Sequence, residues 1–132
     1  MILDTNVLLR ASIDDDPAQT SEARALVDAA ERLVISNTTL CEYAWVANRN
    51  YKESRKNIAD AIRALIADPR TIIDGDAVTA GLAFLDAGGD FADGVIEFEG
   101  RRLGGKVFAT FDRQAAAIVR AQGRQCLLLG AE

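Results

Sequence analysis

Four acidic residues fall where a strand is predicted to end or where a helix is predicted to begin: Asp4, Glu42, Asp93 and Asp112. The chain contains no histidine. This excludes imidazole general bases, Ser-His-Asp and Cys-His catalysis, and the common histidine-containing zinc sites. Any chemistry must come from carboxylates, hydroxyls, amines or thiols, and the four acids are the natural candidates.

Carboxylates that converge on one site favour a hard cation. Two of them about 4 Å apart repel by roughly 4 kcal/mol at an effective dielectric constant of 20, and a cation between them removes that cost. Mg²⁺ and Mn²⁺ prefer all-oxygen ligation. Such an ion would polarise a phosphodiester and lower the pKa of a bound water, which permits hydrolysis without histidine.

Each acid also has a structural explanation when taken alone. Glu42 would complete a capping box with Thr39, and Asp4 would form an Asx-turn. Asp93 and Asp112 would stabilise helix N-termini. The case for a metal site therefore depends on whether the fold brings several of these acids together.

The elements that must position the acids alternate between strands and helices. Strands are predicted at residues 1–3, 33–36, 71–74, 106–111 and 125–129. Helices are predicted at residues 17–33, 40–67 with a break near 48–51, 76–87, 90–103 and 113–122. This alternation implies parallel strands with right-handed crossovers. We predict an α/β fold, in which residues 1–132 form a single three-layer α/β/α domain around a five-stranded, mostly parallel sheet.

In such a sheet, the carboxyl ends of the strands and the N-termini of the following helices lie along one edge, where ligands bind. The predicted strands place Asp4, Glu42 and Asp112 at that edge. Asp93 joins them only if its helix also begins there. The number of metal ions stays open, since four carboxylates can hold one ion or two.

The segments that carry these acids resemble the motifs of the PIN-domain ribonucleases, specifically the VapC-type toxins of VapBC toxin–antitoxin pairs. The similar segments occur in the family's order: ILDTNVLL, ISNTTLCEYAWV, DFADGVI and VFATFDR. The resemblance implies a PIN-like fold and Mg²⁺- or Mn²⁺-dependent endonucleolytic cleavage of RNA. It implies that activated water attacks the phosphorus in line, without a covalent enzyme intermediate.

The resemblance also assigns roles to individual residues. Asp4, Glu42, Asp93 and Asp112 match the family's metal-binding acids, and Asn6 and Thr110 match positions that orient the cluster or hold a ligand water. Gly94 follows Asp93 where the family more usually has alanine. Asp90 lies three residues earlier on the same helical side and is an alternative for the role of Asp93. We favour Asp93, because Asp90 is better placed to cap the helix.

The partners implied by the resemblance are RNA, a VapB-like antitoxin, and a second copy of the chain in a homodimer or a toxin–antitoxin hetero-oligomer. RNA would bind a chain whose net charge is −5. The basic residues available for phosphate contacts are Arg10, Arg49, Lys52, Arg55, Lys56, Arg101, Arg102 and Arg113. The alternative for the 49–56 cluster is a solvated helix face.

The aromatic and sulfur-containing residues are mainly expected in the core. We favour core packing for Trp45, although Tyr43, Trp45 and Tyr51 are also candidates to stack RNA bases or antitoxin side chains. Core positions are predicted for Phe91, Phe98, Phe108 and Phe111, and for Cys41 and Cys126 as reduced thiols. The chain shows no secretory signal and no membrane span, so we expect a cytoplasmic protein that makes no membrane contact.

Other functions are compatible with parts of this pattern. In a receiver-type phospho-acceptor domain, Asp74 would be phosphorylated and Thr110 would be the switch hydroxyl. Strand one, however, offers one acid instead of two, and no lysine follows strand five. A haloacid-dehalogenase phosphatase needs a second aspartate where Asn6 stands. A catalytically inactive PIN-like binding module is a further alternative, and the presence of all four acids argues against it.

Overall fold

The computed structural model describes residues 1–130, which cluster into two compact units, the first ending at Asp74 and the second beginning at Gly75. The first unit contains α1 (Thr5–Ser12), α2 (Pro17–Ala29), β1 (Leu33–Val34), α3 (Asn37–Tyr51), α4 (Arg55–Ala67) and β2 (Thr71–Ile72). The second contains α5 (Gly75–Asp86), α6 (Phe91–Arg102), β3 (Val107–Thr110), α7 (Arg113–Ala121) and β4 (Gln125–Leu128). The prediction of a single domain stays a prediction.

Strands pair in parallel in both units. In the first unit β1 pairs with β2 over two residues, and Ile2 forms an isolated parallel bridge to Val34. In the second unit β3 pairs with β4 over four residues. The predicted α/β class and parallel pairing are therefore confirmed. Within residues 1–130 the strands form two sheets of two strands each, and a single five-stranded sheet is not observed.

The strands of the first unit are short because helices begin almost immediately after them. Asp4 is the N-cap of α1 and directly follows the bridge-forming segment 1–3, so this segment is too short for a ladder. Ser36 caps α3 two residues after β1 ends. Gly75 starts α5 three residues after β2 ends. The predicted strands 33–36 and 71–74 are thus each shortened to two residues.

Several predicted helix boundaries were wrong, and one helix was missed. Helix α1 was not predicted, since its eight residues are too few to show a clear apolar period. The predicted helix 17–33 ends at Ala29, where Ala30 turns to an extended conformation, and Leu33 is a buried strand residue. The predicted break in 40–67 is present, but it lies at Lys52, whose φ is 58°.

Arg70, the residue before β2, connects this strand to the end of α2 through side-chain hydrogen bonds. Its guanidinium donates hydrogen bonds to the Val27 carbonyl at 2.7 Å and the Ala30 carbonyl at 2.9 Å. These carbonyls lie at the C-terminus of α2, where the last carbonyls lack regular helical partners and the Val27 carbonyl accepts only a long backbone bond of 3.4 Å from the Ala30 amide. Asp68 accepts two further bonds from the same guanidinium, which lower the pKa of Asp68 to about 2.

Helices α5 and α6 pack closely at two glycines. A Cβ atom on Gly94 would lie 2.5 Å from the Ala80 carbonyl oxygen and 2.9 Å from the Cα of Gly81. A Cβ atom on Gly81 would lie 2.5 Å from the ring of Phe91, which is itself fully buried. This contact explains why glycine follows Asp93 where the resemblance leads one to expect alanine. It also fixes the N-terminal turn of α6, which carries Asp93.

The core predictions for phenylalanine hold in part. Phe91 is buried, and Phe108 packs against a buried cluster that includes Phe84 and Val119. Phe111 is 75% exposed, so its core assignment was wrong. Cys41 and Cys126 form no disulfide within residues 1–130 and are half-buried. No helix in residues 1–130 has the length and apolar character of a membrane span.

Candidate metal centre

Three aspartates of the second unit come together at the start of two helices. Asp90 and Asp93 lie at the N-cap and in the first turn of α6, and Asp112 is the N-cap of α7, just after β3. One carboxylate oxygen of each lies within 4.8 Å of those of the other two. Two of the predicted acids, Asp93 and Asp112, are therefore neighbours, and Asp90 joins them.

Asp112 is held by the backbone around it. Its amide donates to the Thr110 hydroxyl at 3.0 Å, and its Oδ1 accepts from the amides of Gln114 at 2.8 Å and Ala115 at 3.0 Å. The expected capping role of Asp112 is thus observed. Because both bonds engage Oδ1, the second oxygen stays available to another ligand. Thr110 lies beside the cluster, as its predicted supporting role requires.

Asp90 behaves differently from the expectation. Its side chain makes no capping hydrogen bond to α6, although it occupies the N-cap position. The capping argument that favoured Asp93 over Asp90 was therefore wrong, and the choice of Asp93 stays a prediction. Residues three apart on a helix are neighbours, and here both carboxylates join the same cluster.

The electrostatics of the cluster favour a cation. Asp93 is half-buried, and its pKa is raised, first by burial and then by the charges of Asp90 and Asp112. Repulsion among these carboxylates destabilises their ionised forms, and a divalent cation at the same place would reverse that effect. The donor set contains oxygen only, which fits Mg²⁺ or Mn²⁺.

The first unit carries Asp4, Asn6 and Glu42. Asp4 caps α1 by accepting a hydrogen bond from the Val7 amide at 2.9 Å, so it is an N-cap and not the expected Asx-turn. Asn6 is exposed, and Asp4 and Asn6 border an open groove of about 350 Å³ on the surface of α1 and α2. Arg10 lies on the same groove.

Glu42 has no structural partner in the described part of the chain. Ser36 caps α3 by accepting a hydrogen bond from the Thr39 amide, so the helix begins one turn earlier than expected. Glu42 is therefore the sixth residue of α3, too far along to complete a capping box. Its side chain is exposed and makes no hydrogen bond or ion pair within residues 1–130. The structural explanation offered for this acid was wrong.

The geometry gives little support to a receiver-type site at Asp74. The side chain of Asp74 accepts a hydrogen bond from Asn37 at 3.2 Å, which links the end of β2 to the start of α3. In residues 1–130, the one group of three or more acidic or sulfur-containing side chains close enough to hold an ion is the aspartate trio. Asp74 is not part of it.

The aromatic residues of α3 differ from their expected roles. Trp45 is 55% exposed, so its core assignment was wrong, and the Arg49 guanidinium lies 4.8 Å from the centre of its ring. Tyr43 is buried and donates a hydrogen bond to Ser12, so it is not available for base stacking. Tyr51 is half-buried and accepts a hydrogen bond from Arg10.

Several basic residues proposed for phosphate contacts are engaged by carboxylates. Ion pairs join Arg10 to Asp15, Lys56 to Asp60, and Arg101 to Glu97. The exposed residues Arg49, Lys52 and Arg113 make no ion pair with a described carboxylate. These three are the cations best placed for an anionic partner.

The PIN domain family model matches residues 1–121, so the chain belongs to the PIN domain family. The match extends over both units and includes all the aspartates discussed above. Family membership implies an α/β/α fold, and PIN domains are generally metal-dependent nucleases. A comparison with curated proteins found no match to the chain.

Proposed function

We propose that this PIN-domain protein is an endoribonuclease that hydrolyses RNA phosphodiester bonds at a Mg²⁺ or Mn²⁺ centre. The observation that carries the proposal is the aspartate trio, in which three carboxylates lie within 4.8 Å of one another at two helix N-termini. The repulsion among these carboxylates opposes the stabilisation that they give to the two helix N-termini, and a cation at the site would remove that cost.

Asp93 and Asp112 would be the principal ligands in this proposal, with Asp90 beside them. When bound, the cation would polarise the phosphodiester and activate water for in-line attack. Asp112 is preorganised by its bonds to α7, which direct one oxygen to the helix amides and leave the other for the ion. Asp93 is held by the close packing of α6 on α5.

Asp4 and Glu42 remain in the proposal on the strength of their sequence motifs, as acids required for the reaction. The exposed Glu42 carboxylate is not committed to any described partner, which is the condition expected of a group that must accept a proton or a ligand. Asn6 and Thr110 are proposed to support the site.

We further propose that the protein acts as the toxin of a type II toxin–antitoxin system, with a VapB-like antitoxin as partner and a homodimer or hetero-oligomer as its assembly. This part rests on the sequence resemblance alone. A neighbouring open reading frame of roughly 70–90 codons whose product suppresses growth arrest by this chain would support it. Growth arrest that persists with the neighbour co-expressed would count against it.

The central experiment is cleavage of a mixed RNA pool by the purified protein with Mn²⁺, Mg²⁺ or EDTA. We expect cleavage only with metal, and a loss of about 10²-fold or more in Asp93→Asn, Asp4→Asn and Glu42→Gln, as when a catalytic acid or base is removed. Asp76→Asn is the matched control, because Asp76 is an exposed aspartate in the first turn of α5 and outside the trio. It should cut RNA at the wild-type rate.

Other outcomes would favour the alternatives. Equal cleavage by the wild type and by Asp93→Asn would mean that a contaminant cuts the RNA. If nothing is cut while Mn²⁺ still raises the melting temperature of the wild type, the protein is a metal-binding module without this activity. Labelling of Asp74 by acetyl phosphate would favour a receiver domain.

A further inference from the structure

Three exposed side chains follow one another along α3 and form a stripe: the Glu42 carboxylate, the Trp45 indole and the Arg49 guanidinium, which makes no ion pair with a described carboxylate. Glu42, Trp45 and Arg49 are spaced by three and four residues, so they follow one another along one face of the helix. Each is exposed, and the distance from the first to the last is about 10 Å at the rise of an α-helix. Lys52, the C-cap of α3, follows three residues after Arg49, and its ammonium donates to the Arg49 carbonyl at 3.1 Å.

The Trp45 ring is held in place without being buried. The Arg49 guanidinium lies 4.8 Å from the ring centre, within the range of a cation–π contact. Such a contact orients the indole while more than half of its surface stays exposed. An oriented, accessible indole is a surface on which another flat ring can stack.

The charge beside the ring favours an anionic occupant. Arg49 makes no ion pair within the described residues, and the Lys52 ammonium donates to the Arg49 carbonyl and also lacks a carboxylate partner. Lys56, at the start of α4, is paired with Asp60, so Arg49 and Lys52 are the cations of this segment without a carboxylate partner, against the one negative charge of Glu42 on the stripe. A nucleotide offers a flat base and a phosphate a sugar apart, and proteins hold unpaired bases by stacking combined with phosphate contacts.

We propose that Trp45 and Arg49 form a platform that stacks one base of single-stranded RNA and contacts an adjoining phosphate, beside Glu42. The inference deepens the proposed function and rests on it, since Glu42 is one of the proposed catalytic acids. It makes the enzyme selective for unpaired RNA, because a base inside a duplex has both faces already covered by its neighbours.

The test uses the single tryptophan of the chain as its own probe. The full-length protein is titrated in EDTA, which prevents cleavage, with a single-stranded oligoribonucleotide and with the same strand in a duplex. Indole fluorescence reports stacking on Trp45, and the anisotropy of a labelled oligonucleotide gives Kd. We expect quenching by the single strand and little by the duplex.

The variants separate stacking from charge. Trp45→Ala should weaken single-strand binding about 5- to 160-fold, which is the range for loss of one base stack, whereas Trp45→Phe keeps a ring and should lose much less. Arg49→Gln should reduce the slope of log K against log salt by about 0.7, the value for one phosphate contact on a single strand. Trp45→Ala should leave that slope unchanged. In Mn²⁺, Trp45→Ala should raise KM and leave kcat near wild type.

The outcomes separate this inference from the function on which it rests. If Trp45→Ala binds the single strand normally while Asp93→Asn loses cleavage, the platform is refuted and the ribonuclease stands. If the single strand quenches Trp45 while no RNA is cut, the platform stands and the ribonuclease fails. Equal quenching by the duplex would refute the proposal that Trp45 and Arg49 stack an unpaired base. Stronger quenching by polyglutamate at the same salt concentration would also refute it, in favour of an acidic protein segment as the occupant.

Discussion

Replacing Asp93 by asparagine should have opposite effects on the stability of the metal-free and metal-loaded protein. The substitution keeps the shape of the side chain and removes one of three charges that lie within 4.8 Å of one another. In EDTA, the variant should be more stable than the wild type, because burial and then the charges of Asp90 and Asp112 raise the pKa of Asp93 and disfavour its ionised form, whereas asparagine carries no charge. In Mn²⁺, the wild type should gain stability that the variant does not.

The size of the effect follows from the distances. Two charges 4.8 Å apart repel by about 0.9 kcal/mol at the dielectric constant of water and by about 3.5 kcal/mol at an effective value of 20. Asp93 faces two such charges, so its neutralisation relieves about 2 kcal/mol even at the aqueous limit. The substitution also removes a negative charge that the dipole of α6 stabilises in its first turn, and this loss offsets roughly 0.3–1 kcal/mol of the gain. The net gain in EDTA should be about 1–2 kcal/mol.

The assay is thermal and urea unfolding of the wild type and two variants, in EDTA and in Mn²⁺. Asp76→Asn is the matched control, since it also removes a first-turn aspartate but one outside the trio, and it should lose about 0.3–1 kcal/mol in EDTA. At free Mn²⁺ 100-fold above Kd, the wild type should gain about 2.7 kcal/mol, as mass action requires. The control should gain as much as the wild type, and Asp93→Asn should gain little.

The reasoning would be refuted by two results together. One is an Asp93→Asn variant that loses stability in EDTA to the same extent as Asp76→Asn. The other is a Mn²⁺-induced shift that survives in Asp93→Asn. The first result alone would show that the repulsion argument is wrong. The second alone would show that Asp93 is not a ligand of the metal ion.

Three further predictions follow from the same contacts. Because burial and then the neighbouring charges raise the pKa of Asp93, its contribution to the stability of the metal-free protein should be largest below the ordinary aspartate pKa and be lost as pH rises through the raised value. In EDTA across pH 4–7, the urea midpoint of the wild type should therefore decline relative to that of Asp93→Asn, and a flat or rising difference would contradict this prediction. Gly94→Ala should lower the urea midpoint, because overpacking against α5 costs about 1–3 kcal/mol and exceeds a helix-propensity gain of roughly 1 kcal/mol. Gly100→Ala in the same helix, where an added Cβ has open space, should instead be neutral or stabilising, and equal behaviour of the two would rule out the close-packing account. Arg70→Gln should lower the melting temperature near neutral pH, because it removes the hydrogen bonds to Asp68 and to the α2 carbonyls. The difference from wild type should shrink as pH falls from about 4 towards the Asp68 pKa of about 2, where the Asp68 carboxylate becomes protonated. A difference that does not depend on pH would assign the effect to the α2 carbonyls alone.

Much of the fold was predictable because its signals are local. Apolar segments separated by helix caps marked the five segments that carry parallel pairing, and glycine or proline residues marked several helix ends. The eight-residue helix α1 was not predicted, because two helical turns carry too few apolar residues to show a helical period. Strand lengths were overestimated in the first unit, since an apolar run shows where a strand can form but not how soon the next helix begins.

The candidate site was predictable only as a set of residue types. The motif order identified Asp93 and Asp112, but the choice between Asp90 and Asp93 depended on a hydrogen bond that the sequence cannot show. Trp45 was misassigned for a similar reason. A tryptophan at helical spacing fits a core or a surface equally well, and its exposure depends on which face of α3 its neighbours cover.

By itself, the sequence determined that any chemistry must proceed without histidine, and it predicted a set of carboxylates at strand ends and helix starts. The tertiary structure alone decided that Asp90, Asp93 and Asp112 share one place. That result needs α6 to approach α5 at Gly94 and the N-terminus of α7 to meet that of α6, and such contacts join residues 13 to 22 positions apart. Helix caps and apolar periods are short-range signals, whereas a metal site is a matter of distances between elements.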